Sequence, residues 1–151
     1  KTGDLLFINE TGLNTNLPKL AGLLEYISYL ENQGVTVDGI STNIRVDLNS
    51  GLTNVATMLQ QLAASGKKIK ISSLEVLINS EQPTTVMMAR QSDLYKELIE
   101  LYFENIPSAQ QIGITFGNVI DNTDNVMKQG LWNSGLVRKP SYVGASMGLS
   151  N

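Results

Sequence analysis

The sequence predicts an α/β fold made of four strand-then-helix units. Short runs of branched apolar residues, bounded by turn signals, begin near residues 5, 39, 70 and 111. The first three are followed by apolar residues at steps of three and four, the spacing of one helix face. Alternating strands and helices imply parallel strands joined by right-handed crossovers.

Leu5-Leu6-Phe7-Ile8, bounded by Gly3-Asp4 and Asn9, reads as a short buried strand. Leu20, Leu23, Leu24, Ile27 and Leu30 then line one helix face, with Asn16 as the cap, Pro18 in the first turn and Gly34 as the stop. Val35-Thr36-Val37 and Gly39 to Val46 read as strand. Leu52, Val55, Met58, Leu59 and Leu62 give a second helix closed by Gly66. Ile69 to Ile78 is a third strand. Pro83-Thr84-Thr85 opens a long helix carrying Leu94, Leu98 and Leu101. Ile112 to Phe116 is the fourth strand, and a short helix from about Pro140 to Met147 closes the chain. Asp38-Gly39 taken alone is a hairpin signal. The helices on either side favour one parallel strand there instead.

Composition narrows the chemistry. The chain has 151 residues, 42% apolar and 17% charged, with a formal net charge of −3 and neither cysteine nor histidine. A nucleic-acid surface needs clustered positive charge. The nearest cluster, Lys67, Lys68 and Lys70, abuts an apolar run and reads as the solvated start of a strand. No disulfide, thiol nucleophile, imidazole base or Cys/His zinc site can arise within this chain. Acid–base chemistry falls to carboxylates, Lys or Tyr. No stretch approaches the ~20 apolar residues of a membrane span; the best, Leu20 to Leu30, contains Glu25. A chain opening on Lys1 rather than Met reads as a mature form, a fragment or a trimmed piece.

Four parallel strands make either an open doubly wound sheet or half of an eight-stranded barrel. The open sheet usually carries a glycine-rich phosphate loop after its first strand. Here that turn is Asn9-Glu10-Thr11-Gly12-Leu13, and no Walker loop exists elsewhere. Half a barrel would leave its first and last strands with unpaired backbone edges and would need a partner half.

Catalytic groups in such parallel sheets gather at the carboxyl ends of the strands, here Asn9-Glu10, Ser41-Thr42-Asn43, Ser73-Leu74-Glu75 and Gly117-Asn118. With these ends, five segments resemble glycoside hydrolase family 10, the endo-β-1,4-xylanases. They are Leu6-Phe7-Ile8-Asn9-Glu10, Val37-Asp38-Gly39-Ile40, Ile69-Lys70-Ile71-Ser72-Ser73-Leu74-Glu75, Gly113-Ile114-Thr115 and Lys139-Pro140-Ser141-Tyr142. They stand in the family's order and cover almost the whole chain. The resemblance implies a single segment, residues 1–151, forming strands five to eight of a (β/α)8 TIM-type barrel, incomplete without an N-terminal half in cis or trans. It implies a secreted, periplasmic or cell-surface protein, a polysaccharide or oligosaccharide ligand such as xylan or β-glucan, and no metal or organic cofactor.

The resemblance breaks where the chemistry should sit. The family's seventh strand reads Ile-Thr-Glu-Leu-Asp with glutamate as nucleophile, and Ser73 holds that place. The sixth strand's Gln-x-His corresponds to Asn43 and Arg45, and the eighth strand's Trp-Gly to Gly117-Asn118. The acid/base glutamate belongs to the fourth strand, outside these residues. Retaining glycosidases need two carboxyl groups about 5–5.5 Å apart. A serine hydroxyl is a poor nucleophile without an adjacent base. Glu75 faces the same side as Ser73 but lies about 6.6 Å along the strand, at ~3.3 Å per residue.

Glu75 and Glu10 are therefore the candidate substitutes; otherwise Glu75 is a hydrogen-bonded carboxylate under the rim and Glu10 a loop carboxylate. Arg45 is expected to pair with Glu75 or Glu10 as a buried replacement for the lost dyad. Glu10, Asn43, Arg45, Asn118 and Trp132 are the candidate sugar contacts, although Asn is also turn chemistry and a lone Trp between apolar neighbours is more often packing. Tyr26 and Tyr29 read as surface or interface filler. Three functions follow: a catalytically degenerate xylanase relative, a scaffold or interaction module binding nothing, and an active hydrolase with a rewired carboxylate site.

Overall fold

Local chemistry sets the helix boundaries in the computed structural model, which describes residues 3–123 and 126–150. Strand β1 (Phe7–Glu10) leads into helix α1 (Leu17–Asn32). Asn16 Oδ1 accepts from Lys19 N at 3.0 Å and Pro18 occupies the first turn. Gly34 ends the unit with φ +86°, a conformation side chains resist. Strand β2 (Gly39–Asp47) precedes α2 (Thr53–Ala64), and β3 (Lys68–Asn79) precedes α3 (Thr85–Asn105). The hydroxyl of Thr84 caps α3 by accepting from Met87 N at 3.2 Å. Strand β4 (Gln111–Phe116), the two-residue β5 (Met127–Lys128) and α4 (Pro140–Leu149) complete the chain.

Four strands lie in the order β1-β2-β3-β4, all parallel. No hairpin forms at Asp38-Gly39. Asp38 instead bridges to the start of β1: Leu6 N donates to its Oδ2 at 2.8 Å, and its own N donates to Leu6 O at 2.9 Å. Gly39 is needed for close approach, since a Cβ there would run into the Phe7 ring and the Lys68 carbonyl. Residues 35–38 are coil, so the strand expected at Val35-Thr36-Val37 is absent and β2 begins at Gly39. β5 went unseen in the sequence; it pairs antiparallel with the end of β3 at Ile78 and Asn79.

The core lies between the sheet and the helices. Ile40, Ile44, Val46, Ile69, Ile71, Leu74 and Val76 meet Leu20, Ile27, Met58, Leu59, Leu62, Leu94, Leu98 and Ile99, all buried. Apolar rows on β3 switch from odd (Ile69, Ile71) to even numbers (Leu74, Val76, Ile78) because the pairing with β2 skips Ser72. This bulge keeps both apolar runs on the helix side. It also turns Lys70, Ser73 and Glu75 toward the opposite, inner face. Tyr102 ties β3 to β4: its hydroxyl donates to Ile69 O at 2.8 Å and accepts from Ile112 N and Gly113 N, and burial raises its pKa. Gly144 and Gly148 let α4 lie tightly on α3, where a Cβ would meet Ser92 O and Ile99.

Among the described residues β1 pairs only with β2, and β4 only with β3 and not with β1. Both outer edges of the parallel sheet are open.

Candidate functional site

The inner face at the carboxyl ends of β2, β3 and β4 holds a polar cluster. Arg45 and Glu75 are register partners on β2 and β3, and Arg45 Nε stands 3.6 Å from Glu75 Oε2. Ser73 Oγ donates to Glu75 Oε1 at 3.1 Å. Gly117, just past β4, closes the third side: a Cβ on it would strike the Glu75 carboxylate and the Ser73 hydroxyl. The serine that stands where a nucleophile is expected is thus a donor to a neighbouring carboxylate. Among the described residues its side-chain hydrogen-bond partner is Glu75, whose other oxygen faces a guanidinium. The expected Arg–carboxylate pair forms with Glu75, but it is not buried: the Arg45 side chain is 49% exposed and that of Glu75 18%. The inner face lies uncovered, so water reaches the guanidinium.

The other predicted site residues are dispersed. Ile8 packs on the core side of β1, and Glu10, two residues on, turns toward α1. There it accepts from Lys19 Nζ at 2.7 Å and Thr11 N at 2.9 Å. The Lys19 hydrogen bond, with Thr11 N adding to it, holds the Glu10 carboxyl below its ordinary 4.5. Asn43 Oδ1 accepts from Gly12 N at 2.9 Å and so fixes the loop after β1. Asn118 is exposed beside a cavity of about 150 Å³ that it lines with Ile120, Asn122, Met127 and Gln129. Trp132 is half-buried, edge-on to Tyr142 with centroids 4.9 Å apart, and the Arg138 guanidinium lies 4.7 Å from the Tyr142 ring centre. Its packing role is filled by that stack.

One charged pair was not read from the sequence. Lys139 Nζ meets Asp121 Oδ2 at 2.9 Å with both side chains buried, and Asp121 Oδ1 also accepts from Gly130 N at 2.7 Å. Burial lowers the Lys139 pKa, and Asp121 opposes that shift. The pair borders a cavity of about 450 Å³ lined also by Glu81, Lys128 and Arg138. The signal that pointed nearest to it was the Lys139-Pro140-Ser141-Tyr142 segment; Asp121, 18 residues upstream, forms no local pattern with it. Among the described residues, no group of three or more acidic side chains comes together to hold a metal ion.

A parallel sheet with helices on one side and polar groups converging at its carboxyl ends is the architecture of a (β/α)8 barrel taken over four of its units. Residues 3–146 match glycosyl hydrolase family 10, and the chain belongs to that family. It is 26% identical over 140 residues to endo-1,4-beta-xylanase A of Thermoanaerobacterium saccharolyticum, covering 91% of this chain and 12% of that protein. A mutant of xylanase A from P. fluorescens subsp. cellulosa, solved in complex with xylopentaose, superposes with a TM-score of 0.86 and 25% identity, covering 97% of this chain and 49% of that one. A mutant of an intracellular xylanase from Thermoanaerobacterium saccharolyticum, in complex with xylotetraose, gives a TM-score of 0.80 and 25% identity over 93% of this chain and 44% of that one. The chain thus spans about half the length of the solved xylanases it matches. No helix among the described residues is long and apolar enough to cross a membrane.

Proposed function

We propose that this chain is the carboxyl-terminal half of a xylanase-type barrel that no longer hydrolyses glycans and keeps a sugar-docking mouth. The observation that carries the reading is the Ser73–Glu75 hydrogen bond at 3.1 Å, with Gly117 closed against both side chains. Attack on an anomeric carbon calls for a carboxylate about 5–5.5 Å from the acid. The carboxylate available here sits two residues further along β3 and is engaged by Ser73 and Arg45. Glu10, the other candidate substitute, is occupied by Lys19 on the helix side of β1. Arg45 and Asn118 remain accessible at the mouth and are the sugar contacts we assign.

The acid/base residue and the other wall of the cleft belong, in this reading, to an N-terminal half-barrel of four further βα units, in cis or trans. A secreted, periplasmic or cell-surface location is part of the same proposal; membership of the family does not entail it, since one matched xylanase is described as intracellular. Fractionation of cells expressing the whole gene tests it.

A scaffold that binds nothing is the second reading. The engagement of Asn43 by Gly12 N and of Trp132 by Tyr142 favours it. Calorimetric titration of the full-length protein with xylo- and cello-oligosaccharides separates the two: heat with saturation supports a docking mouth, and none supports the scaffold. Release of reducing ends from xylan or mixed-linkage glucan, abolished by Glu75→Gln or Glu10→Gln, would overturn both in favour of a rewired hydrolase.

A further inference from the structure

A second polar recess lies behind the wall of the mouth. Lys128 on β5 faces a cavity of about 450 Å³, while its neighbours Met127 and Gln129 face the smaller cavity beside Asn118. The lining of the larger one comes from the loop after β3, from α3, from the segment after β4 and from the start of α4, all within this chain. Its volume falls in the range of about 300–1,000 Å³ that small ligands occupy. Three cations line it, Lys128, Arg138 and Lys139, against two carboxylates, Glu81 and Asp121. The chain as a whole carries a net charge of −3.

These charges divide into two sets. Lys139 and Asp121 satisfy each other, with Nζ 2.9 Å from Oδ2 and 3.1 Å from Oδ1. Arg138 and Glu81 line the same space without pairing, and neither side chain has a hydrogen-bond or ion-pair partner among the described residues. Arg138 is nonetheless fixed in place. Its backbone bridges to Trp132, and its guanidinium lies over the Tyr142 ring, 4.7 Å from the centre. A stacked guanidinium keeps its planar N–H fork free for a carboxylate. Asn133 adds a donor to the same lining. Its Oδ1 accepts from Gly135 N and Val137 N, both at 2.9 Å, which turns its amide N–H group the other way. No acceptor among the described residues meets that group.

A bound molecule must offer acceptors to Arg138 and Asn133 and donors to Glu81, and the excess of cations calls for a net negative charge. A carboxylate with hydroxyl groups on the same small frame meets all three requirements. Pro83, Met88 and Pro140 supply an apolar wall for its carbon ring. We infer that the cavity behind β5 is a binding site for a sugar acid of monosaccharide size, its carboxylate on the Arg138 fork and its hydroxyls donating to Glu81. The site goes beyond the sugar-docking reading of the mouth and does not rest on it.

Calorimetric titration of the full-length protein with glucuronate, glucose and acetate tests it. Glucuronate is expected to saturate, glucose to give no heat of binding, and acetate to bind roughly tenfold more weakly than glucuronate. Arg138→Gln is expected to weaken glucuronate by roughly tenfold or more, and Glu81→Ala to bring it down to the affinity of acetate. Both side chains are exposed, so neither change disturbs the core. Glucose as tight as glucuronate, or full affinity retained in either variant, overturns the assignment. Equal affinity of the wild type for glucuronate and acetate overturns the sugar-acid class. No saturation by glucuronate overturns the site altogether, while neutral xylo-oligosaccharides decide the mouth separately.

Discussion

Ser73 and Glu75 sit on the same face of β3, the hydroxyl of one donating to the carboxylate of the other at 3.1 Å, with Arg45 on the far oxygen. Restoring a glutamate at Ser73 would therefore set two carboxylates side by side under one guanidinium. Like charges raise the pKa of at least one member of such a pair in the folded state. A raised acid pKa means the folded state binds protons more readily than the unfolded state, so stability falls as pH rises through that range. Ser73→Glu is expected to cost roughly 1–3 kcal/mol at pH 7 and less at pH 4, measured by chemical denaturation at both. A cost independent of pH would show that the two carboxylates do not meet.

Gly117 is the counterpart of that pair. A Cβ at this position meets the Glu75 and Ser73 side chains rather than backbone, so the flexible Glu75 can swing aside at the expense of its bonds. Gly117→Ala is expected to destabilise by about 1 kcal/mol. In a Ser73→Ala/Glu75→Ala background most of that loss should vanish, since the two sites share one contact. Additive losses in the double-mutant cycle would mean that the glycine answers to something other than this contact.

The four βα units, their order and the cap at Asn16 were legible because each rests on local chemistry: periodic apolar spacing, a side-chain acceptor before a first turn, a glycine after the last. The strand misplaced at Val35-Thr36-Val37 shows the limit. Branched residues favour extended backbone, yet those three follow the glycine stop of α1, and pairing with β1 starts only at Gly39. β5 escaped notice because two residues carry no periodicity, and its pairing with β3 is set by Gln91, whose Nε2 donates to Val76 O and Lys128 O. Within the site, the sequence left Arg45 a choice of Glu75 or Glu10, and the β2–β3 register that sets Arg45 opposite Glu75 decides it. The diversion of Glu10 to Lys19 was not legible, because it depends on the first turn of α1 folding back over the strand end.

Glu10 offers a direct reading of that diversion. Its folded pKa lies below the ordinary 4.5, chiefly through the Lys19 hydrogen bond. A depressed carboxyl pKa contributes stability above the unfolded value, and that contribution disappears as pH falls through the folded value. A carbon-detected NMR titration should place the Glu10 midpoint below 4.5 in wild type and return it upward in Lys19→Met. An unmoved midpoint in the variant would assign the shift to Thr11 N instead.

Asp121 and Lys139 set the strongest stability test outside the inner face. Lys139 Nζ contacts Asp121 Oδ2 at 2.9 Å, with side chains only 5% and 8% exposed. Asp121 Oδ1 holds Gly130 N, and Lys139 N donates to Leu131 O at 2.9 Å, so the pair fastens the loop after β4 to the start of α4. Removing one partner leaves an uncompensated charge in a desolvated place, a loss of about 3–5 kcal/mol. Lys139→Met should reach that range in urea denaturation, and Asp121→Asn/Lys139→Met should recover much of it because no bare charge remains. The asparagine can still accept from Gly130 N, so the loop keeps its anchor. If the double variant is as unstable as Lys139→Met, the cost comes from lost packing of the lysine stem and not from the stranded carboxylate.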